Sequence, residues 1–102
     1  MIFHITDAAT WELSQQRGIH TGSTRGIDLA EEGYIHCSTG EQWPGVVQRF
    51  YADASDLLLL HIDEVRLTSP LVYEQLPGMT EPFPHVYGPI NADAVVAVEP
   101  LP

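Results

Sequence analysis

Apolar and polar residues recur along the chain at spacings that predict a mixture of short strands and helices. The opening "IFHIT" (2–6) has the composition of a strand. Thr6 or Asp7 can cap a helix over "AATWELSQQR" (8–17), and Gly18 is placed to end that helix. The chain is therefore expected to open with a strand followed by a helix.

A second strand and a second helix are predicted in the same order. "YIHCS" (34–38) follows a glycine and is led by aromatic and β-branched residues, which is typical of a strand. Thr39 and Gln42 have the spacing of a capping box. The apolar residues that follow fall at i, i+3, i+4, i+7 and i+8, the stripe of a helix that faces a core. They are Trp43, Val46, Val47, Phe50 and Tyr51.

Three further strands are predicted in the second half of the chain. "DLLLLHID" (56–63) is a continuous apolar run, which favours a strand covered on both faces, and "LVYEQL" (71–76) and "AVVAVEP" (94–100) have strand patterns. "TEPFPHVYGPIN" (80–91) is rich in proline and is predicted to be a rigid loop near an edge, not a central strand. The expected fold is α+β, with about five or six short strands and two helices in one domain over 1–102.

The net charge of the chain limits the classes of partner that it can bind. The chain has 14 acidic residues and only 4 basic ones, all arginine, for a net charge of -10. Because binding to a phosphate backbone depends on Lys and Arg, long nucleic acid is an unfavourable partner. The absence of lysine also excludes Schiff-base chemistry and a P-loop lysine. The expected partner is a small molecule, a nucleotide or another metabolite.

Cysteine content and hydropathy predict the compartment. A lone cysteine cannot form an intrachain disulfide, so no oxidising compartment is required. No segment approaches the roughly 20 apolar residues that cross a bilayer, and the N-terminus lacks the pattern of a signal peptide. We therefore expect a cytoplasmic protein with no membrane partner.

Candidate chemistry comes from strand parity. Side chains alternate across a strand, so Tyr34, His36 and Ser38 share one face of the second predicted strand while the residues between them face the core. On the first predicted strand, His4 and Thr6 share a face in the same way. If the two strands are neighbours, His4 and His36 line one cleft.

Other polar groups could complete a site for a small anionic ligand. His85 and Tyr87 lie in the proline-rich segment, and Glu74 lies on a predicted strand. Arg25 lies in "GSTRG", where the glycines let backbone amides approach an anion. Thr39 precedes a helix whose N-terminus is favourable for negative charge. A single histidine is more often a half-exposed sheet residue, so the prediction depends on several groups converging.

A metal site and a cysteine nucleophile are the two other chemistries that the sequence could support. None of the five histidines has the spacing that marks a metal site in a sequence, so no metal is expected, although His4, His36 and His85 could converge on one. Cys37 is adjacent to His36 but points to the opposite face of the strand. A buried structural thiol is therefore favoured over a nucleophile.

The chain also resembles a known family from end to end. The motifs are "FHIT" (3–6), "EGYIHCST" (32–39), "RFY" (49–51), "LLLLHID" (57–63) and "FPHVYGPI" (83–90), and they resemble the bacterial and plant family called domain of unknown function 952. That family is similar in fold to the ADP-ribosyltransferase superfamily. The resemblance implies a split pair of small sheets with NAD in the cleft between them.

Residue roles follow from this resemblance. In the superfamily a first-strand residue holds the nicotinamide ribose, a position that His4 matches. A second motif shapes the nicotinamide pocket, and "YIHCST" matches it with Tyr34, His36, Ser38 and Thr39. A third position, often Glu, polarises the ribose, and Glu74 is the candidate. The resemblance thus implies His36 and Glu74 as catalytic residues and NAD as the substrate.

Three alternatives remain open for the activity. A transferase or an NAD-cleaving enzyme needs a group that stabilises a positively charged ribose and a base for the acceptor, roles open to Glu74 or His36. A non-catalytic module that binds a nucleotide or metabolite needs only the pocket. A histidine-ligated metal site is the third alternative.

Overall fold

The first strand and helix form where the sequence predicts them. In the computed structural model, which describes all of residues 1–102, strand β1 is Ile2–Asp7 and helix α1 is Ala8–Arg17. Asp7 Oδ1 accepts a hydrogen bond from the Thr10 N–H at 2.8 Å, which caps the helix. Gly18 ends it with a φ of 78°, a left-handed conformation that glycine adopts without strain.

The remaining elements are shorter and more numerous than predicted. The other helices are α2 (Leu29–Glu32) and α3 (Trp43–Phe50), and 3-10 turns cover Glu64–Arg66 and Ala92–Ala94. The other strands are β2 (Ile19–His20), β3 (Gly22–Thr24), β4 (Ile27–Asp28), β5 (Ile35–His36), β6 (Leu57–Ile62), β7 (Leu71–Glu74), β8 (Phe83–Val86), β9 (Ile90–Asn91) and β10 (Val95–Pro100). The α+β class is confirmed, with ten strands and three helices in place of five or six strands and two helices.

Two three-stranded antiparallel sheets dominate the fold. The first has the strand order β1-β6-β10 and the second has the order β5-β8-β7, while β2-β9 and β3-β4 form two-stranded ribbons. Just after β5, Phe3 and Ser38 exchange both backbone hydrogen bonds, at 2.8 and 2.7 Å. This bridge attaches the second sheet to the first. The predicted strand 34–38 is thus a two-residue strand followed by a separate bridge.

Strand β6 is covered on both faces, as its continuous apolar run predicts. On one face, Leu60 and Ile62 join a buried cluster with residues of β1, β5, β8, β9 and α1. On the other face, Leu57 and Leu59 pack with Ile5 and with residues of α3. Within the predicted stripe of α3, Trp43, Val46 and Val47 pack against this second cluster, whereas Phe50 is 46% exposed.

The proline-rich segment 80–91 is not the edge loop that its sequence predicts. It contains β8, which is the middle strand of the second sheet. Pro84 pairs with Tyr73 in the register, and its carbonyl accepts a hydrogen bond from the Cys37 N–H at 3.0 Å. A proline removes only one N–H from a strand, and the neighbouring residues of β8 supply the other hydrogen bonds.

Helix α3 begins later than the capping-box spacing predicts. Gln42 is the N-cap, and the helix runs from Trp43. Only one half of the box forms, because Gln42 Oε1 accepts a hydrogen bond from the Thr39 N–H at 2.9 Å while the Thr39 carbonyl accepts from the backbone N–H groups of both Gln42 and Trp43. None of the helices has the length and apolar composition that a bilayer crossing requires.

Replacing a leucine should be costly at β6 and nearly neutral on α1. Leu60 is fully buried, so Leu60→Ala should lower the free energy of unfolding by about 2–5 kcal/mol. Leu13 is 59% exposed, and Leu13→Ala should change it by less than about 0.5 kcal/mol. Urea denaturation of the two variants measures both values. Equal losses would contradict the burial pattern of β6.

Candidate functional site

A cleft of about 290 Å³ opens where the two sheets meet. Residues of β1, β3, β5, α3 and β8 line it, together with Leu76 and Met79 from the β7-β8 connection. We call it the inner cleft. Its walls are mostly apolar, and its polar members are His4, Ser23, Thr24, His36, Ser38 and His85.

His4 links the two sheets at the floor of this cleft. Its Nδ1 lies 2.6 Å from the carbonyl oxygen of His36, and the side chain is buried. A carbonyl only accepts, so Nδ1 carries the hydrogen and Nε2 is the acceptor nitrogen of the ring. Burial, with a further contribution from the nearby His20, lowers the pKa of His4 to about 3. His4 is therefore neutral at physiological pH, and it cannot add positive charge for a ligand as pH falls toward 6.5.

His36 and His85 face each other across neighbouring strands. They are paired in the β5-β8 register, and their ring centroids are 5.2 Å apart in an edge-to-face arrangement. Each ring has a carboxylate partner. His36 Nε2 lies 2.7 Å from Glu32 Oε1, and His85 Nδ1 lies 2.8 Å from Glu74 Oε1.

His85 has the geometry of a general base held by a carboxylate. The Glu74 carboxylate can only accept, so in the neutral ring Nδ1 donates and Nε2 carries the lone pair. This Nε2 is buried and has no hydrogen-bond partner, and His85 lines the inner cleft. A base oriented by a third group in this way can take a proton from a bound nucleophile.

Glu74 lies behind His85, outside the lining of the inner cleft. The hydroxyl of Tyr87 and the ring of His85 donate hydrogen bonds to it, and these bonds lower the pKa of the Glu74 carboxyl. The same bond to Glu74 raises the pKa of Tyr87 to about 12. Tyr34 also lies outside the cleft and stacks on His85, with ring centroids 4.2 Å apart. Glu74 can thus position His85, but it does not itself face the cleft.

A second, more polar cavity of about 610 Å³ adjoins the inner cleft. We call it the outer groove. The two cavities share His4, Ile5, Thr24 and Tyr51. The outer groove is otherwise lined mainly by polar and charged side chains, which include Thr6, Asp7, Thr10, Arg25, Asp28 and Asp53.

Arg25 reaches the outer groove, but its charge is already paired. Its Nη1 donates to Asp53 Oδ1 at 2.6 Å and to the Phe50 carbonyl at 2.9 Å, and its guanidinium lies 5.6 Å from the centroid of the Tyr51 ring. The hydrogen bond to Asp53 raises the pKa of Arg25 and lowers that of Asp53. A ligand phosphate would therefore compete with Asp53 for this cation.

The sequence-based candidates divide into three groups by location. The inner cleft brings together His4, His36, Ser38 and His85. The outer groove contains Thr6 and Arg25, and it shares His4. Four candidates lie in neither cavity, namely Tyr34, Thr39, Glu74 and Tyr87. The Thr39 N–H is already bonded to Gln42, so this residue offers no free amide to an anion.

His20 is a component of the site region that the sequence pattern does not reveal. Its ring packs 4.9 Å from that of His4, its Nδ1 lies 2.7 Å from Ser14 Oγ, and its Nε2 is buried without a partner. Burial lowers the pKa of His20 to about 4. It lies on the two-residue strand β2, which is too short to show periodicity. Only its place two residues after Gly18, where α1 ends, indicates a return toward the core.

Metal and thiol chemistry find no support in the side-chain geometry. No group of three or more His, Cys, Asp or Glu side chains is placed to hold a metal ion. Carboxylates already engage one ring nitrogen each of His36 and His85. Cys37 belongs to the larger core cluster, and burial raises the pKa of its thiol. The prediction that Cys37 is a buried core residue is confirmed, and Cys37 also contributes to the lining of the inner cleft.

The fold and the cleft define a small α+β protein of antiparallel strands with a histidine-lined site. The chain belongs to the family described as protein of unknown function (DUF952), whose model matches residues 5–98. The crystal structure of protein CC0527 from Caulobacter crescentus is similar to it, with 28% identity and a TM-score of 0.86 over 99% of this chain and 85% of that one. The solution NMR structure of CC0527 gives 28% identity and a TM-score of 0.80 over 98% of this chain and 83% of that one. No curated protein matches the chain.

The buried neutral histidines predict a loss of stability in mild acid. The pKa values of His4 and His20 fall from 6.5 in the unfolded chain to about 3 and about 4 in the fold, so the unfolded chain takes up their protons first. Stability should be full above pH 6.5 and decline below it. Down to about pH 4 the slope should approach about 1.4 kcal/mol per pH unit for each histidine.

Urea denaturation between pH 7.5 and 5 measures this slope. His20→Gln should reduce the slope, whatever it does to stability at pH 7.5. His61→Gln is the matched control, because His61 lies on β6 away from the cleft and pairs with the exposed Glu99. A slope that is the same in wild type and His20→Gln would show that His20 titrates normally in the fold.

Proposed function

We propose that the inner cleft binds the nicotinamide-ribose part of NAD and that the protein is an ADP-ribosyltransferase-like enzyme. It would break the bond between nicotinamide and ribose and transfer the ADP-ribosyl group to an acceptor or to water. The observation that carries the proposal is the convergence of His4, His36 and His85 in one cleft, with the free Nε2 of His85 backed by Glu74.

The arrangement of the sheets supports this proposal. Two small sheets meet at the cleft, as in the split sheet that the resemblance implies, and His4 lies on the first strand. The "YIHCST" motif (34–39) contributes His36 and Ser38 to the cleft and leads toward α3. These are the positions at which the superfamily holds the ribose and shapes the nicotinamide pocket.

The lining of the inner cleft suits both the nicotinamide ring and the ribose attached to it. Phe50, Tyr51 and Phe83 provide flat apolar surface for a nicotinamide ring. The acceptor nitrogen of the neutral His4 can accept a hydrogen bond from a ribose hydroxyl and so orient the sugar.

The reaction would then need two events at the ribose C1′ atom. Nicotinamide leaves with the electron pair of the C–N bond and becomes neutral, while positive charge develops on the ribose. A hydroxyl of water or of an acceptor attacks C1′ and gives its proton to His85 Nε2. In this scheme His85 is the catalytic base and Glu74 is a positioning residue that holds the ring and stabilises its protonated form.

One observation favours the alternative, a non-catalytic module that binds a nucleotide or metabolite. His85 is fully buried and its Nε2 is closed to solvent, so the base reaches a substrate only if the surrounding side chains move. Binding in the cleft requires no such movement.

Nicotinamide release from NAD separates the two functions. We expect slow release by the wild type, and His85→Gln should reduce kcat by about 10²–10⁴-fold, the usual contribution of a general base. Glu74→Gln should lower kcat by less and leave KM unchanged, because Glu74 does not face the cleft. Steady-state kinetics with chromatographic detection of nicotinamide gives both constants.

Glu99→Gln is the matched control for Glu74→Gln. Glu99 also pairs with a histidine, His61 at 3.1 Å, but on the first sheet and outside both cavities. It should leave kcat and KM at wild-type values. Saturable NAD binding without any nicotinamide release would establish the binding module, and no binding at millimolar NAD would refute NAD as the ligand of the cleft.

A further inference from the structure

The outer groove has the wrong charge for a pyrophosphate. Its lining has three carboxylates, those of Asp7, Asp28 and Asp53, and one guanidinium, that of Arg25. Burial acts to raise the pKa of Asp7, but hydrogen bonds from Thr10 outweigh it and the net pKa is lowered. The hydrogen bond from Arg25 lowers the pKa of Asp53. The groove is therefore negative at neutral pH, within a chain of net charge -10.

The inner cleft is too small to hold a whole dinucleotide, so part of such a ligand would lie in the outer groove. At about 290 Å³ it is at the lower end of the range for small-molecule sites, which suits a base with its ribose but not a dinucleotide. The outer groove continues from it past His4, Ile5, Thr24 and Tyr51. A dinucleotide with its nicotinamide in the inner cleft would thus extend its phosphates along the acidic lining.

We propose that the site selects a cationic N-ribosyl base that lacks phosphate groups, of the nicotinamide riboside type, over NAD. This inference rests on the proposed function and names the substrate class of the same site. The positive charge of the ring-linked nitrogen is attracted by the carboxylates, whereas a pyrophosphate is repelled by them. Specificity arises here from repulsion of the competing ligand as much as from attraction of the preferred one.

The reaction of such a nucleoside with water balances without a further reactant. The bond between C1′ and the ring nitrogen breaks, and neutral nicotinamide leaves with the electron pair. The oxygen of water forms the new bond to C1′, and one water proton passes to His85 Nε2 and then to solvent. The products are nicotinamide, ribose and a proton.

A substrate series tests the inference. Nicotinamide release is measured for nicotinamide riboside, nicotinamide mononucleotide and NAD at low and at physiological ionic strength. We expect kcat/KM for the riboside to exceed that for NAD by about 10-fold or more at low salt, the effect of about 1.4 kcal/mol. The ratio should shrink as salt is added, because screening weakens both the attraction and the repulsion.

Asp53→Asn provides a second, independent test. This change removes a carboxylate from the groove and releases Arg25 from its ion pair, so kcat/KM for NAD should rise several-fold relative to that for the riboside. Glu12→Gln is the control, since it removes one negative charge from the exposed face of α1, outside both cavities, and should leave the ratio unchanged.

The outcomes separate the inference from the proposed function. If NAD reacts faster than the riboside, the inference is overturned and the enzymatic function stands. An equal shift of the ratio by Asp53→Asn and Glu12→Gln would overturn the role of the groove. If no member of the series binds or releases nicotinamide, both proposals are overturned together.

Discussion

The hydrogen bond from His4 to the His36 carbonyl, beside the backbone exchange of Phe3 with Ser38, holds the two sheets in a fixed relation. The first sheet contributes His4 to the cleft. The second contributes His36 and, through the β5-β8 register, His85 opposite it. Because that register is set by backbone pairing, fixing one strand of the second sheet against β1 fixes the position of both of its histidines. The geometry of the cleft therefore depends on these hydrogen bonds between β1 and the end of β5.

The position of His4 between the two sheets also explains why its ring is neutral. A proton on His4 would have to be buried against a core sheet and close to His20, and desolvation makes that form unfavourable. As a neutral ring, His4 satisfies a buried carbonyl without introducing a charge. A polar side chain at this point thus joins two sheets whose other contacts are mostly apolar.

Strand parity is local, and the sequence therefore predicts part of the cleft, since His4, His36 and Ser38 line it and Cys37 belongs to the core. Parity alone does not define the lining, because Phe3, Ile5 and Cys37 also reach the cleft whereas Tyr34 does not. Pairing between distant segments is not encoded in a local pattern. The proline content of 80–91 predicts a loop, and this prediction is wrong because Pro84 removes only one N–H and leaves β8 in the middle of its sheet.

The same limit applies to the charged residues. The sequence shows an arginine between glycines, but it does not show that Asp53, 28 residues away, would neutralise Arg25. It also cannot show whether Glu74 lies in front of or behind His85, since both positions share a sheet face. Which of two side chains on one face lies nearer the cleft is set by packing, and sequence periodicity does not encode it.

The electrostatics of the site follow from burial of its histidines and from ion pairing of its arginine. Burial keeps His4 and His20 uncharged, and Arg25 is paired with Asp53. Arg25 is the one cationic side chain in the outer groove against the carboxylates of Asp7, Asp28 and Asp53. The neutral His4 thus lies in the inner cleft, and a net negative charge lies in the groove beside it. The preference proposed above for an unphosphorylated riboside over NAD depends on this separation.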